Sequence, residues 1–207
     1  MTSPEDRPGA PDRDAVTGVP GAVSAPGSAQ LGGAGDAGGV IRPARPEDVA
    51  EILAMVRELA EYERSAHEVR ASEDLLTDLL FGSNSPSGAP AAHCHVALAR
   101  ADDGPLAGMA LWFLNASTWE GRHGIYLEDL YVRPAFRGLG LGRSLMAELA
   151  RICVDHGYTR LEWSVLDWNT PAIDFYRSLG AGAMDEWTVH RVSGVALHDL
   201  ARRAEQA

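Results

Sequence analysis

The sequence predicts an α/β domain built on one mixed sheet with helices on both faces. Three observations carry this. Stretches of apolar residues at helical spacing are interleaved with strand-like runs from residue 40 to residue 192. A glycine-rich turn, Gly138-Leu139-Gly140-Leu141-Gly142, stands between a strand-like run and a helix-like one. The composition also changes sharply at residue 39. Residues 1–39 hold nine Gly, five Pro and seven Ala and no aromatic residue, so they cannot bury enough apolar surface to offset the entropy of ordering. They read as a disordered tail or a misassigned translation start. The remaining 168 residues suffice for one core in one domain, 40–207.

Taken in order, Val40-Ile41-Arg42 is a short first strand. Pro46 opens a helix, since proline suits a first turn, and Glu47 and Asp48 complement the dipole there. Val49, Ile52, Val56 and Leu59 form its apolar face. Ser72 is the N-cap of a second helix, with Glu73 and Asp74 behind it and Leu75, Leu76, Leu79 and Leu80 inside. Residues 82–90 are a loop. His95–Arg100 and Leu106–Leu114 are strands joined by Asp102-Asp103-Gly104-Pro105, a hairpin signal. Ile125–Val132 is a further strand. Leu139–His156 is a long helix with Leu145, Leu149 and Ile152 on one face. Leu161–Leu166 is a strand, Thr170–Leu179 a helix stopped by Gly180, and Trp187–Val192 a final strand.

The net charge is −11, of which −3 belongs to the tail, with two arginines against five acids. A negative domain without a basic face does not suit non-specific nucleic-acid binding or an anionic membrane. It suits a cationic small molecule, and it also keeps a protein soluble. All 18 basic residues are arginines, which a GC-rich coding bias explains. Cys94 and Cys153 are too few for a disulfide scaffold, lie in apolar stretches and fit a reducing, cytoplasmic setting. No apolar run is long enough to span a membrane, and the N-terminus has no secretory apolar region. The histidines have no metal spacing; His93 and His95 are packing or surface residues, and no metal is expected.

The turn is flanked by Arg133, Arg137 and Arg143. Positive charge is unfavourable at a helix N-terminus, so a cluster there makes sense when an anion is bound. The bland alternative is a tightly packed helix start with solvated arginines. The dinucleotide pattern GxGxxG fails because Arg143 occupies its third glycine position, and a chain without lysine has no P-loop. Further along, Glu128 and Asp129 interrupt an apolar strand; because neighbours on a strand point to opposite faces, at least one meets the interior or a cleft. The alternative is an edge strand with both solvated. Tyr176 lies on the apolar side of its helix and on pattern alone is a core tyrosine, and Asn169 is equally a helix cap.

The string Arg137-Gly138-Leu139-Gly140-Leu141-Gly142 contains RxxGxG and resembles the pyrophosphate-binding loop of the acetyl-CoA-dependent GNAT superfamily. Ile41-Arg42-Pro43-Ala44, Glu58-Leu59-Ala60-Glu61-Tyr62-Glu63, Tyr126-Leu127-Glu128-Asp129-Leu130-Tyr131-Val132, Asp167-Trp168-Asn169 and Asp174-Phe175-Tyr176 extend the resemblance over residues 40–192. Together they look like the diamine acetyltransferase branch, which includes spermidine/spermine and thialysine N-acetyltransferases.

The resemblance implies a GNAT-like, mostly antiparallel sheet and acetyl-CoA as cosubstrate. It assigns Tyr176 to protonating the departing thiolate and Glu128 to taking the amine proton through ordered water. Leu130, Tyr131 and Val132 would hold the pantetheine arm by backbone pairing. Arg137, Gly138, Leu139, Gly140, Leu141, Gly142 and Arg143 would hold the pyrophosphate, with Asn169, Thr170, Pro171, Ala172 and Tyr176 completing the cofactor side. Tyr62, Glu63, Trp119, Glu128, Asp129, Glu162, Trp163 and Ser164 would line the amine side. Ser117 stands where the polyamine-specific branch has an acid, and Asp185-Glu186 is a short acidic stretch, so a lysine-like or short diamine substrate is favoured over spermine. A homodimer is implied as well. Because no motif positions a Cys or Ser nucleophile, direct attack in a ternary complex is expected. The competing readings are an acetyltransferase for a protein N-terminus or an antibiotic amine, and a non-catalytic CoA-sensing module.

Overall fold

Five strands form one sheet in the order of the sequence. The computed structural model describes residues 40–83, 85–99 and 104–204. The expected tail at 1–39 lies outside these residues, as do Arg100 and the Asp102-Asp103 part of the expected hairpin turn. The elements are β1 (Ile41–Pro43), α1 (Val49–Tyr62), α2 (Glu73–Phe81), β2 (His93–Leu98), β3 (Leu106–Ser117), β4 (Arg122–Val132), α3 (Leu141–His156), β5 (Leu161–Trp163), α4 (Thr170–Arg177) and α5 (Gly194–Ala204). Neighbouring strands are antiparallel except β4 and β5, which run parallel. The mixed, mostly antiparallel sheet is as expected.

Alternation along the strands gives the sheet two apolar faces. Val96, Met109 and Leu111 pack with Ile52, Met55, Leu76 and Leu80 of α1 and α2. Ala97, Ala110, Trp112, Ile125 and Leu127 pack with Leu145, Met146 and Leu149 of α3. In α2 the four leucines divide: Leu76 and Leu80 are buried, whereas Leu75 and Leu79 face outward. Ser72 caps α2 by accepting from the Leu75 amide at 3.3 Å. Replacing Ser72 by Ala should cost about 1 kcal/mol of stability, read as a lower denaturation midpoint at unchanged slope.

Several sequence expectations change, and the strand expected over Leu161–Leu166 ends at Trp163. Asp48 does not serve mainly as dipole complement to α1. It is buried, and Arg42 Nη1 and Nη2 donate to it at 2.6 and 2.9 Å while the Arg45 amide donates at 2.7 Å. Burial pushes its carboxyl up, but these partners outweigh burial and hold it below the usual value. The pair fastens β1 to the start of α1.

The final strand at Trp187–Val192 does not form; those residues belong to no strand or helix. A strand pattern says which side chains want burial, whereas a strand exists only where a neighbour offers its backbone. Here none does, and Trp187, Val189 and Val192 are exposed. The last described residues instead form α5, which the sequence reading missed although Leu197 and Leu200 stand at helical spacing.

Candidate active site

Along β4, Leu111 faces Asp129 and Trp112 faces Leu127, so Glu128 has no opposite residue on β3. This is a β-bulge, and it reverses the alternation. Ile125 and Leu127 pack on the α3 side, and so do Leu130 and Val132 beyond the bulge. Tyr131 turns to the α1 side, and Asp129, two residues before it, shares that face. The bulge therefore brings a carboxylate into an apolar strand without placing it in the α3 core.

β4 and β5 pair over only three positions, from Ile125–Leu161 to Leu127–Trp163. Beyond that they diverge, leaving the β5-facing edge of residues 128–132 without a strand partner. A cavity of about 460 Å³ fills the opening, bounded by the end of α1, the bulge of β4, the glycine-rich turn, the chain after β5 and the start of α4.

One end of the cavity is shaped for an anion. Gly138 and Gly140 both have φ of 80°, a left-handed conformation that glycine adopts without strain. Gly140 is the N-cap of α3, so no side chain caps the first turn, and that turn holds no acidic residue. Arg137 Nε donates to the Val132 carbonyl at 2.9 Å, and its guanidinium lies over the rings of Tyr62 and Tyr131 at 5.6 and 5.8 Å. Arg143 Nη2 donates to Ser178 Oγ at 3.2 Å. Both arginines line the cavity. Arg133 does not join them: Glu51 and Glu58 bind its guanidinium, and it also donates to the Leu106 carbonyl, making it a structural tie to α1. The expected three-arginine cluster is thus two arginines.

The other end collects negative charge. Glu63, Glu128 and Asp129 all line the cavity. Burial first, then the charges of Glu128 and Glu63, push Asp129 up to about 6. Burial also raises Glu63. Glu63 is the C-cap of α1, where the helix's carbonyl end disfavours a carboxylate. Such mutually repelling acids make a site for a cation.

Tyr176 stands between the two ends. Its ring packs on Trp163 at 4.8 Å and Phe175 at 5.2 Å. Burial, with Glu63 adding, pushes its phenol up to about 12, so it carries its proton at any working pH. Asn169 is indeed the cap of α4, accepting from the Ala172 amide at 3.4 Å, and its Oδ1 also accepts from Tyr62 Oη at 3.0 Å. Pro171 and Ala172 line the same wall.

Most of the sequence-selected residues converge on this one cavity, but four do not line it. Leu139 points outward and is half exposed. Thr170 lies on the outside of α4. Trp119 sits at the tip of the β3–β4 connection, 89 % exposed. Glu162 accepts from Asn115 Nδ2 at 2.6 Å and lies 2.9 Å from Arg160 Nε, on the sheet surface beside the cavity. Ser164 does line the cavity, with its hydroxyl 2.7 Å from Tyr126 Oη. The sequence reading missed Leu59, Leu127, Phe136, Val165, Leu166 and Phe175 as lining groups; all stand within or next to segments it had selected. Neither cysteine lines the cavity. Cys94 is buried in the α1-side core, where burial pushes its thiol up to about 12, and Cys153 is buried on the inner face of α3. Among the described residues no group of three or more His, Cys, Asp or Glu side chains is arranged to hold a metal ion, and no helix is long and apolar enough to cross a membrane.

Comparison with known proteins places the chain among relatives. The profile of the acetyltransferase (GNAT) family matches residues 52–181. The thialysine N-epsilon-acetyltransferase of Bos taurus is 39 % identical over 170 residues, spanning 78 % of this chain and 96 % of the relative. The L-ornithine N5-acetyltransferase NATA1 of Arabidopsis thaliana is 32 % identical over 197 residues, spanning 77 % and 86 %. Among solved structures, an integron cassette protein from the mobile metagenome of V. cholerae superposes with a TM-score of 0.64 at 26 % identity, covering 79 % of this chain and 98 % of that one.

Proposed function

The chain belongs to the acetyltransferase (GNAT) family, and we propose that it moves acetyl from acetyl-CoA to a primary amine of a small cationic substrate of the thialysine, lysine, ornithine or short diamine kind. The observation that carries this is the polarity of one cavity. Left-handed glycines, an uncapped helix start and two arginines stand at one end, three repelling carboxylates at the other, and Tyr176 between them. The names of the thialysine- and ornithine-acetylating relatives support the same substrate class.

The residues fit the cosubstrate. A pyrophosphate suits the turn from Arg137 to Arg143, and a pantetheine arm suits the unpaired edge of Leu130–Val132. Bound acetyl-CoA supplies the activated acyl carbon. The chain does the rest. Glu63 and Asp129 hold the ammonium, an arrangement that also lowers their mutual repulsion. Glu128, exposed at the bulge, takes the amine proton through water and can pass it on to solvent. Tyr176 hydrogen-bonds the departing thiolate and gives up its proton. Neutralising Glu63 with the ammonium draws the Tyr176 phenol back from about 12, which narrows the gap to a thiol. No cysteine lines the cavity, and the hydroxyl of its serine, Ser164, is paired with Tyr126, which supports direct attack. The exposed apolar run from Met184 to Leu200 suits a homodimer, and two free buried cysteines suit a cytoplasmic setting.

Two measurements test the proposal. Initial rates at varied acetyl-CoA and amine should give intersecting double-reciprocal lines; parallel lines would mean an acyl-enzyme and contradict direct attack. In a panel of thialysine, lysine, ornithine, putrescine, spermidine and an aminoglycoside, the lysine-like amines should have the highest kcat/KM. A preference for the aminoglycoside would replace this substrate class with an antibiotic one.

A further inference from the structure

Every residue with positive φ among the described ones is a glycine except Arg64, at 62°. It occupies the position after the C-cap of α1, where the Ser65 amide bonds back to the Ala60 carbonyl at 2.8 Å. That six-to-one closure ends many helices, and glycine normally takes the left-handed place. The same closure after α3, from the Tyr158 amide to the Cys153 carbonyl at 2.8 Å, uses glycine, Gly157. An arginine here carries a modest backbone cost that contacts of its side chain can offset. It reaches Trp168, 5.8 Å from the ring centroid, on the connection between β5 and α4. Two residues earlier, the Tyr62 ring lies 5.9 Å from Trp168, and its hydroxyl donates to Asn169 Oδ1 at 3.0 Å. These contacts span the mouth of the cleft where β4 and β5 diverge. The residue between them is Glu63, which turns into the cavity.

We infer that the last turn of α1 is a clasp, in which Tyr62 and Arg64 grip Trp168 and Asn169 across the cleft and so fix the Glu63 carboxylate against Asp129 and Tyr176. Tyr62 and Arg64 are positioning residues for the amine site. Tyr62 acts through Asn169, and contact with the amine is not what it supplies. Without the clasp, the end of α1 would lose its hold on the start of α4, and Glu63, carrying a charge its helix end disfavours, would swing toward solvent. The role assigned to Glu63 rests on the proposed amine acetylation; the clasp itself does not.

The test uses Tyr62→Phe, which keeps the ring beneath Arg137 and removes the bond to Asn169, and Arg64→Gly, which keeps the backbone turn without strain and removes the contact with Trp168. The first readout needs no substrate: titration of carboxyl-labelled Glu63 by NMR in the free protein. The raised midpoint of the wild type should fall toward that of an ordinary glutamate in both variants. The second is a kinetic split: KM for the amine should rise about fivefold to tenfold while kcat stays within about twofold, and Arg64→Gly should do this at unchanged thermal midpoint. An unmoved Glu63 titration in a folded variant, or kcat falling with amine KM unchanged, would overturn the clasp. A wild type that shows the shifted titration but acetylates no amine would leave the clasp standing and remove the substrate reading instead.

Discussion

Replacing Tyr176 by Phe should lower kcat about a hundredfold, the usual scale for losing a general acid, while the dissociation constant for CoA stays within about twofold. The ring that packs on Trp163 and Phe175 is retained, so the cavity wall keeps its shape. Only the hydroxyl is lost, and among the described residues it has no protein acceptor to leave stranded. A fall in CoA affinity as large as the fall in kcat would make Tyr176 a wall residue; unchanged kcat would take the proton transfer away from it.

Replacing Asp129 by Asn should make the protein more stable and less able to bind its amine. Asp129 is pushed up to about 6 from an ordinary 3.8 by burial and by two neighbouring acids. Below pH 3.8 it is protonated in both the folded and unfolded chain and costs nothing. Between about pH 4 and 6 the unfolded chain gives up the proton while the folded one keeps it, so stability falls as pH rises. Above about pH 6 it is ionised in both, and the full cost, about 2–3 kcal/mol at about 1.36 kcal/mol per unit, persists. The Asp129→Asn variant should therefore gain about that much stability at about pH 8, a gain that disappears below about pH 4. At the higher pH the amine KM should rise about tenfold, as one of the two carboxylates proposed to hold the ammonium is lost. Denaturant unfolding across pH and amine kinetics read both effects. Lower stability of the variant at high pH would show that Asp129 has a structural partner and no repelling neighbours.

The glycine-rich turn was legible in the sequence because its chemistry is local: glycines that permit φ of 80° and arginines at a helix start stand within seven residues of one another. A role for the acidic end in holding an amine was legible only through resemblance. Glu128 and Asp129 stand out in an apolar run, but simple alternation does not say which enters the cavity. That follows from the bulge, a relation between β3 and β4 that neither strand records alone. Arg133 looks like its neighbours Arg137 and Arg143, yet acids from α1, about 75 residues away, engage it. Glu63 gives no local sign either; its meaning comes from α1 ending beside β4. Trp119, assigned to the amine side through the resemblance, stands in the fold at a hairpin tip outside the cavity. The pattern at 187–192 misled because a sound strand sequence finds no neighbouring strand.

We propose that this cavity carries acetyl to a small cationic amine. The most direct measurement combines calorimetric binding of CoA with mass-spectrometric detection of product after incubating the full chain with acetyl-CoA and thialysine. The expected result is saturable CoA binding together with a single acetyl group added to the side-chain amine of thialysine. Saturable CoA binding with no acetylated product, from thialysine or from any amine of the panel, would contradict the claim and leave a module that binds the nucleotide without turning it over.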